Sequence, residues 1–218
     1  MKGKIQTNES FPISIRVKPT QIRAVETRER ILDAAALILE ESGADGLTTK
    51  KTAERAGVRI RSVYRYFPNK LSIIYSLAQR VAEKEALFLT LYEGLGNQKV
   101  DWRPSLSTMV DLFFMAGKEI PGLRAIRAAM QASPELRSID VQMNERHAAE
   151  LSKALKARGA DLSGEQLDAI SRTFIETATC LLDGAWFELS QPGGDQKAKL
   201  MVTEMKRILE AYVSSYFQ

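Results

Sequence analysis

The sequence predicts an all-α fold in two parts, a short N-terminal head containing a helix-turn-helix and a larger C-terminal helical body. Three observations predict it. Apolar side chains recur at the i, i+3, i+4 and i+7 spacing of half-buried helices along most of the 218 residues. No segment shows the apolar/polar alternation of a convincing strand. The breaks between periodic segments carry turn chemistry, at Pro121 and Gly122, Ser133 and Pro134, Gly159, Ser163 and Gly164, and Pro192, Gly193 and Gly194.

Residues 1–19 mix Lys2, Lys4, Arg16 and Lys18 with Pro12 and Pro19 and have no helical period, so they read as a flexible basic arm. A helix follows to Ser42 with Ile31, Ala34, Ala35 and Ile38 on one stripe, and Gly43 stops it as a left-handed cap. Thr48 can accept a backbone N–H as N-cap of a brief helix over 49–56, which Gly57 closes. A third short helix spans 60–67. Pro68 cannot continue it, and Asn69 can cap a long fourth helix from Lys70 that ends in the 94–104 segment. Residues 20–70 thus form the head. Residues 71–218 form the body, with further helices at 106–118, 122–132, 134–158, 164–189 and 196–216.

Charge divides along the same boundary. Residues 1–70 hold 14 Lys and Arg against 8 Asp and Glu, a net of +6, whereas 71–218 hold 17 against 19, a net of −2. A local basic surplus attracts polyanions such as duplex DNA, and it is equally compatible with a solvated surface that has no partner. The segment 47–67 argues for the first. Two short helices separated by Gly57 and Val58 have the proportions of a helix-turn-helix. Arg59, Arg61 and Arg65, with Lys50 and Lys51, surround Ser62, Tyr64 and Tyr66, which gathers phosphate partners and groove-facing hydrogen-bonding groups in one stretch.

Residues 28–35 (Arg-Glu-Arg-Ile-Leu-Asp-Ala-Ala), Gly43, Thr48, residues 53–58 (Ala-Glu-Arg-Ala-Gly-Val) and residues 64–70 (Tyr-Arg-Tyr-Phe-Pro-Asn-Lys) together resemble the N-terminal domain of the tetracycline-repressor (TetR) family. The resemblance covers 27–78; the remainder matches in helical layout alone. It implies a three-helix DNA-binding head, a connecting fourth helix, and a body that dimerises and encloses a small-molecule site. By position, it puts Tyr64, Tyr66 and Lys70 at phosphates, Arg59, Ile60, Arg61, Ser62 and Arg65 on the recognition helix, and Thr49 and Lys50 at the start of the helix before it. Arginine can read guanine bidentately and Ile60 can rest on a thymine methyl, with Arg61 the first choice for base readout; the same arginines can instead serve phosphates. Two positions depart from the family pattern. Arg59 stands where a Ser or Thr cap is common, and Thr52 stands where an aliphatic side chain usually faces inward.

In the body, Leu167, Ile170, Phe174, Thr177, Ala178, Leu181 and Ala185 form one apolar stripe and Met201, Met205, Ile208, Leu209 and Tyr212 another. The resemblance implies that these two helices pair with a second copy as a four-helix interface; the alternative for each side chain is intrachain core. A homodimer would span successive major-groove faces and require a palindromic operator. Trp102, Phe113, Phe114, Met130, Met143, Phe174, Trp186 and Phe187 are candidates to line an apolar ligand cavity, or else are core. His147 reads as a surface or structural residue, and Cys180 as a small apolar side chain rather than a redox sensor.

Several classes are disfavoured. One histidine and one cysteine exclude a multi-His or multi-Cys metal site and an intrachain disulfide. No nucleophile motif or phosphate-binding glycine loop appears, so neither an enzyme nor a cofactor is expected. No stretch is long and apolar enough to span a membrane and no signal segment is visible, so a cytoplasmic protein is expected. The sequence reading is therefore a DNA-binding regulator, most simply a repressor released by a small hydrophobic effector. The alternatives are a ligand-independent activator or architectural factor and, remotely, a helical enzyme.

Overall fold

The structure, a computed structural model, describes residues 22–216; the expected basic arm at 1–19 lies outside the described residues. Ten α-helices and one 3-10 segment follow in order, with no strand among the described residues: α1 Ile22–Gly46, α2 Thr49–Arg55, α3 Ile60–Tyr66, α4 Lys70–Glu85, the 3-10 turn Ala86–Leu91, α5 Tyr92–Gly96, α6 Arg103–Glu119, α7 Leu123–Ala132, α8 Pro134–Ala157, α9 Gly164–Leu189 and α10 Asp195–Ser214.

The head is built as its capping residues require. Gly43 takes φ 64° and kinks the end of α1. Thr48 accepts the Lys51 amide at 3.1 Å to start α2, and its carbonyl accepts the hydroxyl of Thr52 at 2.8 Å. That second bond explains how Thr52 occupies an inward position normally left to an aliphatic side chain: it is fully buried, and its hydroxyl is satisfied within the turn. Arg59 makes no side-chain cap, and α3 begins at Ile60 without one. Asn69 caps α4 by a reciprocal box with Ser72.

The expected long fourth helix is broken. Its α-helical part stops at Glu85, and the chain tightens into 3-10 geometry before resuming as α5. No Gly or Pro marks the break, so local sequence did not predict it; the buried face passes from Val81, Ala82 and Glu85 to Tyr92 and Leu95 across it. Other boundaries lie close to expectation.

Head and body share one continuous apolar core. Their closest approach is α1 on the N-terminus of α7. Gly122, at φ 73°, donates its amide to Glu40 Oε2 at 2.8 Å, and Arg124 reaches Glu40 Oε1 at 2.5 Å. A Cβ on Gly122 would lie 2.6 Å from the Ala36 carbonyl oxygen. Gly122→Ala should therefore cost about 2 to 4 kcal/mol, combining left-handed backbone strain with displacement of α1, and lower Tm by about 5 to 15 °C. An unchanged Tm in a thermal melt would mean that the two parts dock slackly.

Candidate nucleic-acid interface and ligand cavity

α3 projects from the head with a sharply divided surface. Val63 and Tyr66 are buried, whereas Arg59, Ile60, Arg61, Tyr64 and Arg65 are exposed and Ser62 is half-buried. Lys50, Lys51 and Lys70 are exposed on the flanking helix starts. Among the described residues, Arg59, Arg61, Lys50 and Lys51 have no carboxylate partner, so their charges are available to phosphates and base edges. By contrast, Arg55 is held by both oxygens of Glu41 at 2.5 and 2.7 Å and belongs to the scaffold. Thr49 Oγ1 and Tyr64 Oη lie 3.1 Å apart and tie the start of α2 to the middle of α3. Lys70 Nζ donates to the Ala44 carbonyl at 3.2 Å, with two further donors open to solvent.

Tyr66 departs from the phosphate-contact expectation. It is 3% exposed and its ring packs beside Phe67, with Arg65 over it at 5.8 Å. Alternation on a seven-residue helix explains this: Val63, Tyr66 and Phe67 share the inward face that Tyr64 and Arg65 leave free.

The body holds a narrow, partly open cavity of about 60 Å³, room for a few water-sized molecules. Phe113, Phe174 and Trp186 line it as anticipated candidates. Trp102, Phe114, Met130 and Met143 are buried elsewhere in the core, and Phe187 is 64% exposed on the outside. Trp186 is seated by its Nε1, which donates to the Phe114 carbonyl at 3.0 Å. This needs Gly117, where a Cβ would fall 2.1 Å from that nitrogen.

The polar lining was not among the candidates. It comprises Glu85 at the end of α4, Arg127 on α7, Asn144 and His147 on α8, Tyr92 on α5 and Thr179 on α9. His147 is thus neither a surface residue nor remote from the cavity. It is 6% exposed, packs edge-on against Phe113 at 5.4 Å, and points Nε2 at Glu85, 3.8 Å away. Arg127 lies among Asp183 at 3.0 Å, Asp140 at 3.6 Å and Glu85 at 4.0 Å. Burial by itself would lower the Arg127 pKa, and the carboxylates of Asp183, Glu85 and Asp140 more than reverse this. Asp140 is pushed above the usual carboxylate range by burial, against the opposing pull of Arg127. A signal for these residues did exist. Ile139, Met143, His147 and Leu151 recur every four residues, as do Leu123, Arg127 and Met130 at four and three, so each polar residue interrupts an apolar stripe.

The two stripes of α9 and α10 divide between core and surface. Leu167, Ile170, Phe174, Ala185 and Met205 are buried within the chain itself. Thr177, Ala178, Leu181, Met201 and Tyr212 are half-buried, and Ile208 is 48% exposed; Leu200 and Cys180 are exposed as well. Cys180 is therefore a surface thiol rather than a core residue.

A helix-turn-helix head with a free basic face, set on a helical body with an internal cavity, defines a DNA-binding regulator. Residues 31–76 match the family model described as bacterial regulatory proteins, tetR family, and residues 101–212 match the tetracyclin repressor-like C-terminal domain. The chain belongs to the TetR family of transcriptional regulators. It is 28% identical over 166 residues to the nucleoid occlusion factor SlmA of Alteromonas mediterranea, covering 75% of this chain and 83% of that protein. The crystal structure of a TetR-family transcriptional regulator from Streptomyces coelicolor aligns with a TM-score of 0.64 at 33% identity, covering 90% of this chain and all of that one. The SmeT–triclosan complex aligns with a TM-score of 0.63 at 22% identity over 88% of this chain and 92% of that one; SmeT represses a multidrug efflux pump of Stenotrophomonas maltophilia.

Proposed function

We propose that the protein is a cytoplasmic homodimeric repressor that binds a palindromic operator through two copies of α3 and is released when a small ligand enters the cavity. The observation that carries this reading is α4. Its first residue, Lys70, follows the recognition helix after the short turn Phe67, Pro68 and Asn69, and its last, Glu85, lines the cavity. Sixteen residues make a rod of about 24 Å joining the two sites. α7 gives a second connection, since Arg127 faces the cavity while Gly122 and Arg124 hold Glu40 of α1.

The cavity is too small to admit a ligand of drug size with its walls as they stand, so occupancy requires α4, α7 or α9 to shift. Any such shift moves the head and changes the separation of the two recognition helices. Release then reaches only as far as the ligand's preference for the shifted state over the DNA-competent one. The solved complex of SmeT with triclosan supports a ligand reading by analogy of fold. The likeness to a nucleoid occlusion factor favours a second reading, a DNA-binding factor without an effector. The charged cavity in contact with α4 favours the first reading over the second.

The test is selection of random duplexes by the purified protein at physiological salt. A palindromic consensus, followed by its release in a screen of small molecules, is the expected result; retention without a motif, lost steeply with salt, would overturn it. On the selected operator, Arg61→Ala should relax preference at one position in each half-site at a cost of about 1 to 3 kcal/mol. Equal weakening on every operator variant would make Arg61 a phosphate anchor.

A further inference from the structure

The charges around the cavity do not balance, and their imbalance specifies a ligand. Arg127 is the one guanidinium facing three carboxylates, and two of them, Asp183 and Asp140, approach it more closely than the third. Asp183 also accepts Gln131 Nε2 at 2.6 Å, and neither it nor Asp140 lines the cavity. Arg127 is therefore over-neutralised from behind. Glu85 is left facing the cavity with its two nearest basic side chains, Arg127 and His147, at 4.0 and 3.8 Å, beyond hydrogen-bonding distance. Even an imidazolium at His147 would leave this cluster one positive charge short. His147 Nδ1, Arg127 Nη2 and Asp140 Oδ1 are buried without hydrogen-bond partners, so this cluster is unfilled in donors and acceptors as well as in charge; Arg127 Nη2 lies 3.6 Å from Asp140 Oδ1, which already faces it with a carboxylate.

We propose that the cavity takes an amphipathic ligand with one protonated amine, the ammonium seated against Glu85 beside His147 and the apolar body lying among Phe113, Phe174 and Trp186. This rests on the reading of the cavity as the effector site and adds the chemical class of the effector. A ligand carboxylate aimed at Arg127 would meet three carboxylates already there. An ammonium supplies the missing charge, donates to the free Glu85 oxygens, and lies near the aromatic side chains of Tyr92, Phe113 and Trp186. Because Glu85 is the final residue of α4, the ligand's strongest contact falls on the helix that carries the recognition helix.

Calorimetry with three naphthalene probes of matched shape tests the assignment: 1-naphthylmethylamine, 1-naphthalenemethanol and 1-naphthoate. The amine should bind about tenfold more tightly than the alcohol, as a charge-assisted hydrogen bond allows, and the naphthoate most weakly. Glu85→Gln should erase the difference between amine and alcohol. Alcohol or naphthoate binding as tightly as the amine to the unaltered protein would overturn the assignment, whatever the variant does, and so would binding of none of the three. Operator release is read separately by fluorescence anisotropy of labelled DNA. Glu85-dependent amine binding that leaves DNA affinity unchanged would uphold the ligand class and overturn the release mechanism.

Discussion

If the proposed dimer pairs through α9 and α10, replacing Ile208 by Glu should convert it to a monomer and reduce affinity for the proposed two-half-site operator by about 10²- to 10⁴-fold, while leaving the fold intact. The side chain is 48% exposed in the single chain, so a charge there is solvated in the monomer and costs little. It occupies the outward edge of the α10 stripe with Met201 and Tyr212, beside the buried Val202, Met205 and Leu209. Met201 packs close to Gly184 on α9, so this stripe adjoins the outer face of α9. A carboxylate buried in a two-fold interface at this position would bring two like charges together. Two half-sites linked through the dimer gain their affinity from effective concentration, and a monomer forfeits it. Sedimentation velocity measures the first effect and anisotropy on whole and half operators the second. A variant that remains dimeric would move the interface off α10.

Arg127→Met should destabilise the protein by about 3 to 5 kcal/mol at neutral pH, since it removes the single cation among Glu85, Asp140 and Asp183 and leaves them buried or half-buried together. Methionine keeps much of the apolar contact with Trp186, so lost packing is a minor part. The deficit should depend on pH with a definite sign. Asp140 already binds its proton more tightly in the folded protein than an ordinary carboxylate does, because of burial. Without Arg127 that pKa rises further. A raised acid holds more protons folded than unfolded, so stability falls as pH rises through the raised value and returns as pH falls below it. Urea unfolding over a pH series should show the variant's deficit shrinking on acidification. A deficit that is constant with pH would assign it to packing instead.

The sequence by itself determined the helices, their caps and the identity of the head. Helical period, the Thr48 and Asn69 caps, Gly57 and Pro68 are local signals, and local backbone chemistry acts over a few residues. The exposed basic face of α3 followed from the same information, because a short helix with two inward apolar residues leaves little doubt about the others. Tyr66 was the exception, since a motif position does not state which way a ring turns.

Tertiary structure alone decided the rest. The break after Glu85 has no local marker and falls on a helix that packs against α7 and α8. An apolar stripe on α9 or α10 has one half turned to its own core and one half outward, and periodicity is identical for both, so Phe174 and Ile208 looked equivalent in sequence. The cavity joins Glu85, Arg127 and His147 from three helices separated by up to 62 positions along the chain. Each of these appeared only as a polar interruption in an apolar stripe. Their meeting, and the surplus of negative charge it creates, depends on long-range packing, which no local spacing encodes.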